Sequence, residues 1–86
     1  MDDIEGVMIR DLNPIVDDRG WLMEILRPDW PEFDKFGQVY LTTARPGVVK
    51  AWHEHENQRD NFVAVTGRIK LVLADTRSDS PTEGKI

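Results

Sequence analysis

The sequence predicts an all-β fold in which five or six short strands form a barrel or a sandwich. Two observations predict it: several segments alternate apolar and polar residues with period two, and Gly and Pro punctuate the chain between them. At 86 residues the chain can hold one small domain, so we treat residues 1–86 as a single unit. A half-barrel of this size leaves strand edges bare, so we expect pairing with another chain or with further polypeptide.

The first predicted element is a β-hairpin. The apolar runs 15–16 and 21–26 flank the sequence Asp17-Asp18-Arg19-Gly20, which is rich in turn formers. Prolines 28, 31 and 46 then interrupt the chain. We therefore expect residues 28–37 to form a loop with at most one helical turn.

The second half of the chain carries the clearer strand signals. Residues 38–43 and 48–55 alternate with period two and are rich in β-forming residues. Residues 61–66 and 69–74 flank Gly67, which predicts a second hairpin.

Composition narrows the classes of function. The chain has 11 basic and 16 acidic residues, a net charge of -5, which disfavours general nucleic-acid binding. It has no cysteine, so neither a disulfide nor a thiolate metal site is available. No apolar run reaches membrane-spanning length, and the acidic start Met1-Asp2-Asp3 lacks the basic residues of a signal peptide. We expect a soluble, cytoplasmic protein.

His53 and His55 are the candidate chemical groups. On a strand, residues two apart share a face at a separation of about 6.6 Å. Val49 and Ala51 lie on that same predicted face, and their small size leaves room in front of the imidazoles. Two imidazoles placed in this way can hold a metal ion, or one of them can act as a base.

The spacing around the histidines resembles a known fold signature. Gly47, His53, His55, Asp60 and Gly67 follow the first cupin motif, G-x5-H-x-H-x3,4-E-x6-G, with Asp60 in the Glu position. The resemblance implies a cupin-type (jelly-roll) barrel, incomplete within one chain, in which residues 1–86 form a single cupin-like domain or the N-terminal half of one. In such a motif the two histidines point inward and the carboxylate arrives from the next, hairpin-paired strand.

A narrower resemblance covers most of residues 17–84. The segments that carry it are Asp17 to Gly20 with Glu24, Gln38, Gly47-Val48, Lys50 to His53, Gln58, Gly67, Asp75-x-Arg77 and Ser80-Pro81-Thr82-x-Gly84. In order and spacing they resemble the dTDP-4-dehydrorhamnose 3,5-epimerase family.

That resemblance implies proton transfer without a metal or cofactor. His53 stands at the position of the base that removes the proton next to the sugar ketone. Arg19 and Glu24 stand where the family contacts the nucleotide, on a strand exchanged within a homodimer. Gln38 and Lys50 stand at other positions that contact the nucleotide-linked sugar.

Asp60 departs from the family, whose catalytic Lys stands at this position. A carboxylate there raises the cost of forming an enolate, although it can orient His53 or hold a metal. Three hypotheses therefore stay open. They are an epimerase or isomerase acting on a dTDP-4-keto-6-deoxy sugar, a cupin that binds one divalent transition metal through His53, His55 and Asp60, and a non-catalytic cupin fragment.

Overall fold

A computed structural model of the chain describes residues 4–86, so the acidic start at Asp2 and Asp3 lies outside the described residues. Within that range, regular secondary structure is limited to one antiparallel hairpin. Strand β1 is Ile15–Asp17 and strand β2 is Gly20–Leu22. They pair in the register Ile15↔Leu22, Val16↔Trp21 and Asp17↔Gly20. The predicted hairpin is confirmed, with a second strand shorter than expected.

The hairpin turn is organised by Asp17. Its Oδ1 accepts a hydrogen bond from the backbone N–H of Arg19 at 2.8 Å, and its Oδ2 accepts one from the Arg19 guanidinium at 2.7 Å. The first contact satisfies a backbone donor inside the turn, which is the usual reason for Asp at such positions. These contacts with Arg19 lower the pKa of Asp17 below its ordinary value. The turn is therefore built by neighbours in sequence.

The later predicted strands are not formed in residues 4–86. The ranges concerned are 38–43, 48–55, 61–66 and 69–74. The chain turns at Gly47, whose φ is 80°, and Val48 N–H bonds to the Arg45 carbonyl at 3.1 Å. At Gly67, with a φ of 75°, the chain only bends, so the hairpin predicted there is not formed in the described residues. A strand is held by its neighbour's backbone, so a correct pattern without a partner leaves the segment irregular. The barrel stays a prediction.

Between 27 and 33 the chain makes two consecutive turns. The N–H of Trp30 donates to the Arg27 carbonyl, and the N–H of Phe33 donates to the Trp30 carbonyl, both at 3.1 Å. The Arg10 guanidinium lies 4.1 Å from the centroid of the Trp30 ring and forms an ion pair with Glu32. The predicted loop at 28–37 is confirmed.

No helix in the described part of the chain is long and apolar enough to cross a bilayer.

The described chain is open, with very little apolar core. Its radius of gyration is 15.3 Å, whereas a compact chain of this length has about 12 Å. Its accessible surface is 8442 Å², against about 5200 Å² for a folded monomer of this mass. Ile4 is the one buried apolar residue of the described range, while Leu41 and Val49 are 79% and 85% exposed. Polar contacts, more than apolar burial, therefore join distant parts of this chain.

Candidate functional site

Both histidines line one groove of about 610 Å³. Three segments form it: residues 4–7, residues 53–56 and residues 73–78. The groove thus gathers the start of the chain, the histidine segment and the loop that begins at Asp75. No paired strand brings these segments together.

The ionisable side chains of the groove are mostly acidic. Glu54 lies between the two histidines, Glu56 follows His55, and Glu5 belongs to the first segment. Arg77 is the one Arg or Lys among the described lining residues. Imidazole, carboxylate and guanidinium groups are the side chains used for proton transfer and for stabilising developing charge. The groove therefore holds the group types that acid–base chemistry requires.

Asp75 is the polar centre of the third segment. Its side chain is 0% exposed. Oδ1 accepts from the backbone N–H and the Nε–H of Arg77 at 3.1 and 2.8 Å. Oδ2 accepts from Arg77 Nη2 at 2.9 Å and from the hydroxyls of Ser80 and Thr82, each at 2.6 Å. The guanidinium and the two hydroxyls hold the pKa of the Asp75 carboxyl far below its usual range.

The Asp75 cluster, which consists of Asp75, Arg77, Ser80 and Thr82, also binds the start of the chain. Glu5 N–H donates to the Thr82 hydroxyl at 3.0 Å, and Arg77 Nη2 donates to the Glu5 carbonyl at 2.7 Å. The backbone of Asp75 exchanges hydrogen bonds of 2.8 Å with the other end of its loop, at positions 84 and 85. The first and third segments of the groove are therefore joined as one unit.

This cluster was not predicted from the sequence, although its four residues carry part of the resemblance. The signal was available in the spacing. An Asp is followed by donors at the second, fifth and seventh positions, Arg77, Ser80 and Thr82. Asp at the start of such a loop is a common acceptor for donors that follow it closely.

Asp60 is not among the residues that line the groove. Its Oδ1 accepts a hydrogen bond from Gln58 Nε2 at 2.8 Å. We expected Asp60 to arrive beside His53 on a paired strand, and that pairing is not formed in the described chain. Across residues 4–86, no three His, Asp or Glu side chains lie close enough together to hold a metal ion. The alternative set of His53, His55 and Asp60 is therefore not assembled here.

The residues predicted to contact the nucleotide are occupied with local partners. Arg19, whose side chain is 86% exposed, pairs with Asp17 in the hairpin turn. Glu24 accepts two hydrogen bonds from Arg27 Nη1, at 3.1 and 3.2 Å. Neither Arg19 nor Glu24 lines the groove. Their substrate-binding roles stay predictions.

Lys50 and Gln38 also lie away from the groove. The Lys50 ammonium donates to the Thr43 carbonyl at 2.6 Å and to the Thr42 hydroxyl at 3.1 Å, which ties the two sides of the turn around Gly47. Gln38 lies on an exposed stretch of chain. Of the site residues predicted from the sequence, the structure gathers only the two histidines.

Comparison with known proteins gives the family. Residues 15–86 match the family described as Polysaccharide biosynthesis C-terminal domain. The chain belongs to this family. The description of the family places the chain in polysaccharide biosynthesis. This confirms the broad class that the sequence predicted, a protein of carbohydrate biosynthesis.

Two relatives are similar over nearly all of this chain. The probable low-salt glycan biosynthesis epimerase Agl13 of Haloferax volcanii is 44% identical over 88 residues, which is 100% of this chain and 56% of the relative. The spore coat polysaccharide biosynthesis protein SpsL of Bacillus subtilis is 42% identical over 82 residues, 95% of this chain and 54% of the relative. The chain thus spans about half the length of the curated relatives it matches. No solved structure matches it.

The resemblance to the dTDP-4-dehydrorhamnose 3,5-epimerase family was wrong, because the family match identifies a different group. The structure supplies the physical reason. Asp17 and Arg19 bond to each other in a turn, and Asp75 bonds to Arg77 within the loop. Residues that hold the chain to itself carry no information about which sugar is bound. Such a motif can recur in proteins with different substrates.

Proposed function

We propose that this chain carries the proton-transfer site of a carbohydrate epimerase used in polysaccharide or glycan biosynthesis, with His53 as the base. The observation that carries the proposal is the 44% identity, over all of this chain, to a relative named a probable glycan biosynthesis epimerase. The groove around His53 and His55 supports it, because it offers imidazoles beside a cavity large enough for a sugar.

The chemistry defines the substrate class. Epimerisation by acid–base catalysis breaks a C–H bond and re-forms it on the opposite face of the same carbon. The C–H bond is acidic enough only when a carbonyl is adjacent, so the substrate we propose is a keto sugar. The imidazole of His53 takes the proton, the electron pair moves onto the carbonyl oxygen, and a second donor returns a proton to the other face. The charge on that oxygen needs a donor or a cation, and Arg77, the one Arg or Lys that lines the groove in the described chain, is already paired with Asp75.

Nucleotide-linked keto sugars are the class to test first. The chain is incubated with a panel of nucleoside-diphosphate-linked 4-keto sugars in deuterated water, and the protons flanking the ketone are followed by NMR. We expect deuterium to enter at one or both of these carbons. His53→Gln removes the base, so its rate should fall about 100-fold or more.

His55→Gln is the matched variant, since it removes the other imidazole of the same groove. A single base predicts a far larger loss for His53→Gln than for His55→Gln, whereas a pair of metal ligands predicts equal losses. Deuterium incorporation that survives His53→Gln would remove His53 as the base. A chain that exchanges no proton with any member of the panel would contradict the proposed activity of this chain.

A non-catalytic binding role is the second candidate. It is favoured by the separation of Asp60, Arg19 and Lys50 from the groove and by the openness of the chain. This candidate predicts that the same sugars perturb the ring signals of His53 and His55 without any loss of substrate protons.

The fold we propose for the complete domain remains the cupin-type barrel. The β1–β2 hairpin and the turn at Gly47 support it, since each turn lies between two segments that the sequence predicts to be strands. An experimental structure of a full-length relative would test it, and a domain dominated by helices would contradict it.

A further inference from the structure

In the part of the chain that the structure describes, the hydrogen bonds that join residues 4–7 to distant residues lead back to one carboxylate. The backbone N–H of Glu5 donates to the Thr82 hydroxyl, and the Glu5 carbonyl accepts from Arg77 Nη2. Thr82 and Arg77 both donate to Oδ2 of Asp75. Two arms therefore start at Asp75 and end on the two backbone polar groups of Glu5.

We propose that Asp75 is the positioning residue of the histidine groove, which fixes Glu5 through Thr82 and Arg77 and so sets the wall beside His53 and His55. The inference rests on the proposed function in one respect, which is that it takes this groove as the functional site. Asp75 does not touch the reacting atoms in this proposal. It acts through the chain segment that it holds.

Little else is available to hold that wall. Glu5 is separated by 72 and 77 residues from Arg77 and Thr82, so its contacts with them close a very long stretch of chain. Closing such a loop is entropically unfavourable and must be offset by contacts. Ile4 is the one buried apolar residue in the described range, so apolar packing supplies little of that compensation. The hydrogen bonds of the Asp75 cluster supply the rest.

The carboxylate cannot be replaced by its amide. Oδ1 receives two N–H donors from Arg77, and Oδ2 receives donors from Arg77, Ser80 and Thr82. An Asn in either orientation would turn an NH₂ group, which only donates, toward donors. Two or three part-buried donors would then lose their acceptor, so the substitution weakens the cluster whichever way the amide points.

The first test is Asp75→Asn, read by amide hydrogen exchange and by the NMR signals of the histidine rings. We expect the Glu5 and Gly84 amides to lose about tenfold or more of their protection, and the ring signals of His53 and His55 to shift. Asp79→Asn is the control. It removes the same charge from the same loop, at an exposed position whose φ of 68° Asn tolerates. We expect wild-type exchange and wild-type ring signals from it.

The second test keeps the proposal falsifiable if Asp75→Asn fails to fold. Thr82→Val has nearly the same shape and removes the hydroxyl with its contacts to Glu5 N–H, Asp75 and Ser80, whereas Thr82→Ser keeps that hydroxyl. We expect Thr82→Val to raise the Glu5 exchange rate several-fold and to shift the histidine ring signals, and Thr82→Ser to restore both. Wild-type exchange and wild-type ring signals in Thr82→Val would overturn the proposal. Loss of Glu5 amide protection with unchanged histidine ring signals would also overturn the proposal, because the cluster would then have only a structural role.

These measurements need no substrate, so they separate this inference from the proposed function. One outcome is that the chain exchanges no sugar protons, while the histidine ring signals shift in Asp75→Asn and Thr82→Val. That outcome would contradict the epimerase activity and support the positioning role. The other outcome is exchange of sugar protons that depends on His53, with unchanged histidine ring signals in both variants. That outcome would support the epimerase activity and contradict the positioning role. If both hold, Thr82→Val should raise KM for the sugar more than it lowers kcat, and Thr82→Ser should restore KM.

Discussion

Asp75 and Arg77 show that residues can form a genuine local motif without identifying the protein family. Both letters helped to carry a resemblance to one epimerase family. In the structure they form a pair with N–O distances of 2.8 and 2.9 Å, and the Asp side chain is fully buried. Their chemistry is directed at the chain itself. Residues of this kind indicate how a loop is built and leave the substrate undetermined.

The pH response of the cluster follows from the lowered pKa of Asp75. A carboxyl whose pKa is depressed in the folded chain contributes stability above its ordinary value of 3.8. That contribution declines as the pH falls below 3.8 and is gone once the folded carboxylate takes a proton. The Arg77 Nε–H signal in NMR should therefore stay at its cluster position from pH 7 down to pH 4 and move only in stronger acid. Asp75→Asn should show no such transition. A midpoint at or above pH 4 for the wild type would contradict the assignment.

His53 and His55 mark the limit of residue-scale inference. Their spacing predicted a strand face shared with Val49 and Ala51. Both histidines line one groove, but Glu54 between them lines it as well, whereas Val49 and Ala51 do not. Their partner Asp60 was predicted from spacing as well, yet it bonds to Gln58 instead. Two residues that are neighbours in sequence keep their relation in almost any fold. A residue on another segment does so only when the two segments pair.

At the scale of the element, the β1–β2 hairpin is the feature that the sequence predicted best. Its turn is closed by contacts between residues two apart, which need no distant partner. A hairpin of two three-residue strands is marginal in water by itself. We infer that it depends on a further surface to persist.

Gly20 provides a sharp test of the hairpin. Its φ is 137°, a region that residues with a Cβ rarely adopt, although an added Cβ would meet nothing within 4 Å. Gly20→Ala should therefore cost about 1 kcal/mol or more through backbone strain alone. The cross-strand contacts between Val16 and Trp21, measured by NMR, should weaken in this variant.

Gly37→Ala is the control for that test. An added Cβ at Gly37 also meets nothing within 4 Å, and its φ lies outside the positive region. We expect this substitution to leave the hairpin signals unchanged. Equal effects from the two substitutions would mean that φ at Gly20 does not limit the hairpin.

At the scale of the whole molecule, the main feature is the apolar surface left uncovered. The accessible surface of 8442 Å² exceeds the value for a compact monomer by about 3200 Å². Interface areas count both partners, so covering this excess of total surface on two chains would bury about 6400 Å², which belongs with the largest permanent interfaces. The exposed side chains of Val39, Leu41 and Val49 belong to the segments predicted to be strands. Pairing would complete those strands and cover these side chains together.

The predicted homodimer can be tested on this basis. In analytical ultracentrifugation we expect a two-chain species that dissociates on dilution, together with lower binding of an apolar dye at the higher concentration. The opposite result is a monomer at every concentration with undiminished dye binding. That result would exclude self-association and leave further polypeptide of the same protein as the cover.

The sequence by itself determined the features that depend on neighbours along the chain. These are the hairpin turn at Asp17, the turn at Gly47 and the loop at 28–37. Each is set by backbone propensity or by a side chain that reaches only a few residues.

Only the tertiary structure decided which distant segments meet. It joined Glu5 to Arg77 and Thr82 through the carboxylate of Asp75, and it kept Asp60 out of the groove. The physical reason is that a periodic pattern specifies which face of a strand is apolar and leaves the partner strand unnamed. The choice of partner depends on closure entropy and on which donors find an acceptor, and both are properties of the folded chain as a whole.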